Sequence, residues 1–137
     1  MRVHASAVAF GTRGLLIRGV SGTGKSGLAL QLMQFGAVLI SDDQTELYVD
    51  QNTLWARAPA SIDGLIEARG IGLLRVPSRP APICAVVDLD ISETERLPPQ
   101  RSIKLLDIAV AHLQKVESAA WPAALAQYLI SGRSDRE

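Results

Sequence analysis

The sequence predicts an α/β domain of the phosphate-loop type, and three observations carry that prediction. The octapeptide Gly19-Val20-Ser21-Gly22-Thr23-Gly24-Lys25-Ser26 fits G-x-x-x-x-G-K-[ST] without a mismatch. Leu15-Leu16-Ile17-Arg18 ahead of it reads as a strand, and Leu28, Ala29, Leu32 and Met33 behind it recur at helical spacing until Gly36. The continuous apolar run Ala37-Val38-Leu39-Ile40 then reads as a central strand buried on both faces.

The remaining elements follow in chain order. Val3 to Phe10 alternates, ends at the turn Gly11-Thr12-Arg13-Gly14, and makes a hairpin with Leu15–Arg18 that leads into the glycine loop. The helix is expected over 26–35, with Gly36 as its C′ residue. Glu46–Val49 and Thr53–Ala58 around Asp50-Gln51-Asn52 predict a second hairpin, in which Tyr48 and Trp55 are packing residues rather than base-stacking ones. Leu65 to Leu73 reads as a strand broken by two glycines. Val76 to Pro82 holds three prolines and is expected outside any sheet interior. Ile83 to Leu89 is a buried-type strand, residues 93–101 a polar excursion, and 102–112 a strand pair. Glu117 to Ile130 has helical spacing, with Pro122 tolerable in the first turn.

Length and composition bound the class. At 137 residues the chain is long enough for one domain, placed at 1–131, with 132–137 as a disordered tail. Fourteen basic and fourteen acidic residues cancel, so no long-range field favours nucleic acid or an anionic membrane, and neither is expected as a partner. The single cysteine, Cys84, reads as a buried small hydrophobe and makes a reducing cytoplasm the default location. No apolar run reaches transmembrane length.

The chemistry begins at the loop. A strand, a glycine turn and a helix N-terminus aim successive N–H groups at one point, which is an anion site. Gly19, Gly22 and Gly24 let the backbone approach phosphate oxygens, with Val20, Ser21 and Thr23 completing the cradle. Lys25 would reach the β- and γ-phosphates of ATP, and the Ser26 hydroxyl would complete a Mg²⁺ shell. Asp42 and Asp43 close the next strand, where ligands gather in α/β sheets. One carboxylate could organise Mg²⁺ and the other could accept a proton, against the bland reading of a turn cap and a solvated acid. Glu67 and Arg69 lie two apart, so a strand would show both on one face. A metal acid beside a fixed cation and an exposed ion pair are equally compatible with that spacing. His4 taken alone is more often a surface or satisfied histidine than a catalytic one.

Taken together, these residues resemble the catalytic domain of bacterial HPr kinase/phosphorylase, in a short form without the family's N-terminal domain. Besides the phosphate loop, Asp42-Asp43 and Glu67-Ala68-Arg69-Gly70-Ile71-Gly72 carry the resemblance, the latter being close to the pattern E-[IV]-R-G-[ILM]-G. It is good from His4 to about Leu74 and weaker to Asp90, with little that aligns beyond.

The resemblance implies a PEP-carboxykinase-like mixed sheet flanked by few helices. It also implies ATP-dependent phosphorylation of a serine on HPr, the phosphocarrier of the sugar phosphotransferase system. By resemblance Lys25 binds phosphate and Ser26 and Glu67 serve Mg²⁺, with Asp42 assisting the metal. Asp43 is the acid/base, His4 supports charge or orientation, and Arg69 belongs to a segment tied to catalysis. Ala68 departs from the pattern, and a downstream arginine has only Arg96 and Arg101 as loose candidates, which puts the phosphorylase activity in question more than the kinase. The family's hexamer is not assumed for a chain this short, and a homo-oligomer stays open. Two rival readings are an ATP-sensing module without phosphoryl transfer and a small-molecule kinase.

Overall fold

The structure is a computed structural model that describes residues 1–134. Strands β1 (Arg2–Phe10) and β2 (Arg13–Arg18) form the expected hairpin, paired from Ala5↔Arg18 to Phe10↔Arg13. Helix α1 (Lys25–Gln34) follows the glycine loop. It closes with the Gly36 N–H on the Met33 carbonyl (3.0 Å) and the Ala37 N–H on the Leu32 carbonyl (3.2 Å), the two bonds of a Schellman cap.

The central strand expected at 37–40 is corrected. Strand β3 (Val38–Ser41) pairs with β1, and on its other side has a bridge between Leu39 and Ser78. Burial on both faces is right, with Leu39 in the helix-side core and Ile40 in the opposite one. An apolar run reports burial, however, and not place in the strand order. Beyond a kink at Asp42-Asp43 the chain continues as β4 (Gln44–Asp50), still antiparallel to β1, and returns as β5 (Thr53–Arg57). Tyr48 and Trp55 stack across this hairpin, with ring centroids 6.4 Å apart.

Strands β6 (Leu65–Ala68) and β7 (Gly72–Arg75) make a separate two-stranded hairpin. Arg69 lies in its turn, so the shared strand face expected for Glu67 and Arg69 does not exist. The long strand β8 (Ala81–Ser92) pairs antiparallel with β5 at its start, then parallel with β2 on one side and with β10 (Ile108–Lys115) on the other. Pro82 belongs to this strand, opposite Trp55, where the proline rule had placed a loop; a strand's first residues tolerate the missing donor. Strand β9 (Ser102–Leu105) completes the expected pair with β10. Helix α2 (Trp121–Ser131) starts four residues later than its periodicity suggests, with Pro122 in its first turn. No helix among the described residues is long and apolar enough to cross a membrane. Of the expected tail, 135–137 lie outside the described residues.

Because β2 pairs β1, β1 pairs β4, β4 pairs β5, β5 pairs β8 and β8 pairs β2, the mixed sheet curls into a ring. Small side chains make that curl possible: Ala5, Ala7, Ala9, Ala56 and Ala81 point into the ring with Leu16, Leu47, Leu54 and Val86. The outer face of β1, β2 and β8 carries Val8, Leu15, Ile17 and Val87 against Leu28, Ala29 and Leu32 of α1 and Leu125 and Leu129 of α2. Arg13 ties α2 down by donating from Nε to the Leu129 carbonyl (2.6 Å) at the helix C-terminus, where a cation is favoured. Cys84 is half-buried rather than buried, and its partial burial pushes the thiol pKa up.

Where β2 ends beside the carboxyl halves of β8 and β10, a polar cluster joins the three strands. Arg18 donates to both oxygens of Asp88 (2.9 and 2.8 Å), and His112 Nε2 lies 2.5 Å from Asp88 Oδ2. Burial alone would raise the Asp88 carboxyl, but the bonds to Arg18 and His112 outweigh it and hold it below its ordinary value. A depressed carboxyl stabilises the fold above its unfolded pKa of about 3.9, and that contribution is lost as pH falls through the folded value. Asp88→Asn should therefore lower the melting temperature at pH 7, with the gap to wild type narrowing below about pH 4. A gap of constant size across that range in thermal denaturation would rule the cluster out as the origin.

Candidate functional site

The glycine loop reaches α1 through Gly22 and Gly24, both at positive φ (87° and 95°), and Gly24 is the helix N-cap. Gly19 serves differently: a Cβ there would stand 2.5 Å from Thr23 Oγ1 and 3.2 Å from Leu89 Cβ. The Lys25 ammonium is folded back over the loop, donating to the carbonyls of Gly19 (2.8 Å) and Val20 (3.2 Å). It is 6% exposed, so its charge is satisfied by dipoles of the loop itself.

The kink between β3 and β4 presents the two aspartates. The Gln44 N–H bonds the Asp42 carbonyl across a single residue (2.8 Å), and Asp43, between them, has φ 67°. That is the hydrogen bond of a γ-turn with a left-handed centre, a strained form that Asp tolerates better than most residues. The Ser41 hydroxyl, donating to the Gln44 carbonyl, clamps the same four residues.

Asp42 is the hub. Its Oδ1 accepts from Ser26 Oγ (2.6 Å) of α1 and from Ser6 Oγ (2.7 Å) of β1, and its Oδ2 accepts from the backbone N–H of Glu67 (3.0 Å) in β6. A carboxylate 8% exposed needs such donors to keep its charge. Ser6 Oγ also accepts from the Asp43 N–H (3.1 Å), so one hydroxyl fixes both aspartates. The Asp43 side chain is 64% exposed and lies 2.7 Å from His4 Nε2.

A cavity of about 680 Å³ opens over this arrangement. Ser21, Gly22, Gly24, Lys25, Ser26, Asp42, Asp43, Glu67 and Arg69 all line it. Gly19, Val20 and Thr23 do not, and His4 approaches it only through Asp43. Neither Arg96 nor Arg101 lines it, and Arg101 is bound instead to Glu93 (2.6 Å) and Glu95 (3.4 Å). Motif reading did not single out Ser6. The one trace it left is a small polar residue in an apolar strand, which alternation alone places on a weakly polar face.

The donor set is one of hard oxygens. Ser26 Oγ and Asp42 Oδ1 stand together, and the Glu67 carboxylate lines the same cavity. Among the described residues no group of three or more His, Cys, Asp or Glu side chains forms a metal cage. Such a set fits Mg²⁺, which keeps waters and phosphate oxygens in its shell, better than an ion held by protein alone.

Comparison with known proteins bears on the family and the fold. The family model described as HPr Serine kinase C-terminal domain matches residues 1–79. The chain is 45% identical over 75 residues to the HPr kinase/phosphorylase of Lactiplantibacillus plantarum, covering 54% of this chain and 24% of that protein. It is 44% identical over 78 residues to that of Mycoplasmopsis pulmonis, covering 57% and 25%. The matched stretch thus spans about a quarter of those relatives' length. The fold resembles that of the Hpr(Ser) kinase/phosphatase from Coxiella burnetii, with a TM-score of 0.77 at 24% identity over 93% of this chain and 92% of that one.

Ser6→Ala removes a donor from a buried carboxylate and the acceptor of a backbone N–H, and should cost about 1.5–3 kcal/mol. Urea denaturation measures it, and an unchanged midpoint would mean that Asp42 and Asp43 are satisfied without Ser6.

Proposed function

The chain belongs to the HPr serine kinase family defined by that C-terminal domain, and from this we propose that it is a cytoplasmic protein kinase transferring the γ-phosphoryl group of ATP to a serine of HPr. The observation that carries the proposal is the shared carboxylate of Asp42, which joins the phosphate-loop helix, the first strand and the Glu67 segment around one cavity.

In this reading the roles divide by environment. The amides of the loop and Lys25 hold the phosphates, with Lys25 exchanging two carbonyl partners for phosphate oxygens. Ser26, Asp42 and Glu67 would hold Mg²⁺, which when bound neutralises charge on the β- and γ-phosphates. Asp42 is buried and saturated with donors, so it suits metal support and not proton transfer. Asp43 opens to the cavity and suits the base. It takes the proton of the substrate serine as that oxygen bonds the γ-phosphorus and the bond to the β-phosphate oxygen breaks. His4 Nε2 orients the Asp43 carboxylate from outside the cavity. Arg69, in the turn beside Glu67, supplies a cation at the cavity rim.

A protein substrate is favoured over a small molecule by the rim itself. Ile71 (79% exposed) and Leu73 (70% exposed) stand in the β6–β7 hairpin, and Leu73 lines the cavity, so apolar surface is offered beside the chemistry. The proposal stops at the kinase direction, since neither candidate downstream arginine lines the cavity.

Two variants test it with purified HPr and Mg-ATP. Lys25→Ala should weaken Mg-ATP binding strongly in calorimetry while leaving the circular dichroism spectrum native. Asp43→Asn should retain nucleotide affinity and lose phosphoryl transfer by roughly a hundredfold or more. A near-normal transfer rate in Asp43→Asn would place the base elsewhere.

A further inference from the structure

We propose a nucleoside subsite between the first turns of α1 and the β10–α2 connection, in which the base of the triphosphate packs against Trp121. This rests on the reading of residues 19–26 as a triphosphate site. Strand β2, which feeds the loop, has Asp42 on the side of β1 and β3. On its other side run β8 and β10, both parallel to it in succession, so their carboxyl ends open at the same end as the loop. A triphosphate whose metal-bearing end faces Ser26 and Asp42 must send its nucleoside away from the aspartates, toward β8 and β10.

The structure has a second cavity there. It measures about 700 Å³ and is lined by Thr23, Gly24, Gly27, Leu89, Val116 and Trp121, among others. Gly24 and Gly27 line the first cavity too, so the two meet at the start of α1, where a phosphate chain would cross. At Gly27 a Cβ would meet nothing within 4 Å, which leaves the passage wide. The walls suit a nucleobase: Leu89 and Val116 are apolar, and the half-buried Trp121 offers an aromatic surface. The connection 116–120 adds peptide groups at the edge, where a base carries its polar atoms.

Two measurements on the whole chain decide the matter. Photolabelling with 2-azido-ATP and Mg²⁺, followed by trypsin, should mark peptide 116–133, with the label competed by ATP and lost in Lys25→Ala. ATP-competed label on any other peptide overturns the subsite. Mg-tripolyphosphate, which has phosphates but no nucleoside, separates the two levels of the claim. Trp121→Leu should bind Mg-ATP about tenfold more weakly and Mg-tripolyphosphate as the wild type does. Equal losses for both ligands, or none for ATP, overturn the subsite and leave the phosphate loop standing. If wild type binds neither ligand, the loop reading fails and the subsite with it.

Discussion

The arrangement depends on one buried carboxylate. Asp42 draws three donors from three separate elements: Ser6 of β1, Ser26 of α1 and the Glu67 amide of β6. An uncompensated charge in that position would be expensive, so each donor is held as firmly as the charge is. The carboxylate therefore sets the distance between the glycine loop, the first strand and the β6–β7 hairpin, which otherwise lies outside the main sheet. One interaction both stabilises the fold and defines the candidate site.

The ring of strands beneath it explains why the hub can be rigid. Five strands close on one another, and their inward alanines let β1, β4, β5, β8 and β2 approach. β1 belongs to both halves of that ring, pairing β4 through residues 2–4 and β2 through residues 5–10. His4 and Ser6 sit where it passes from one partner to the other. The strain of Asp43 is placed opposite them, where Ser6 Oγ and the Ser41 clamp hold it.

Polarity is divided between the two faces of the sheet. Beside α1 lie Lys25, the aspartates and Glu67, around a cavity. The Arg18–Asp88–His112 cluster stitches the end of β2 to the carboxyl halves of β8 and β10. It keeps β2, β8 and β10 in register at the end from which the loop departs, so the loop's footing is electrostatic as well as apolar.

The residues alone determined the glycine loop before α1, α1 with its Gly36 cap, the first hairpin, and the kinship carried by Asp42-Asp43 and the Glu67–Gly72 motif. These are local features, fixed by spacing and by what glycine, lysine and serine can do next to one another. The tertiary structure decided the rest. β3 proved lateral because an apolar run is the same whether its second neighbour is a strand or a loop. Arg69 proved to be a turn residue because Gly70, at φ 83°, ends the strand before it. Ser6 was invisible because its importance lies in two partners 36 and 37 residues away. Convergence of β1, α1, β3 and β6 on one carboxylate is a long-range property, and only chain closure in three dimensions brings it about.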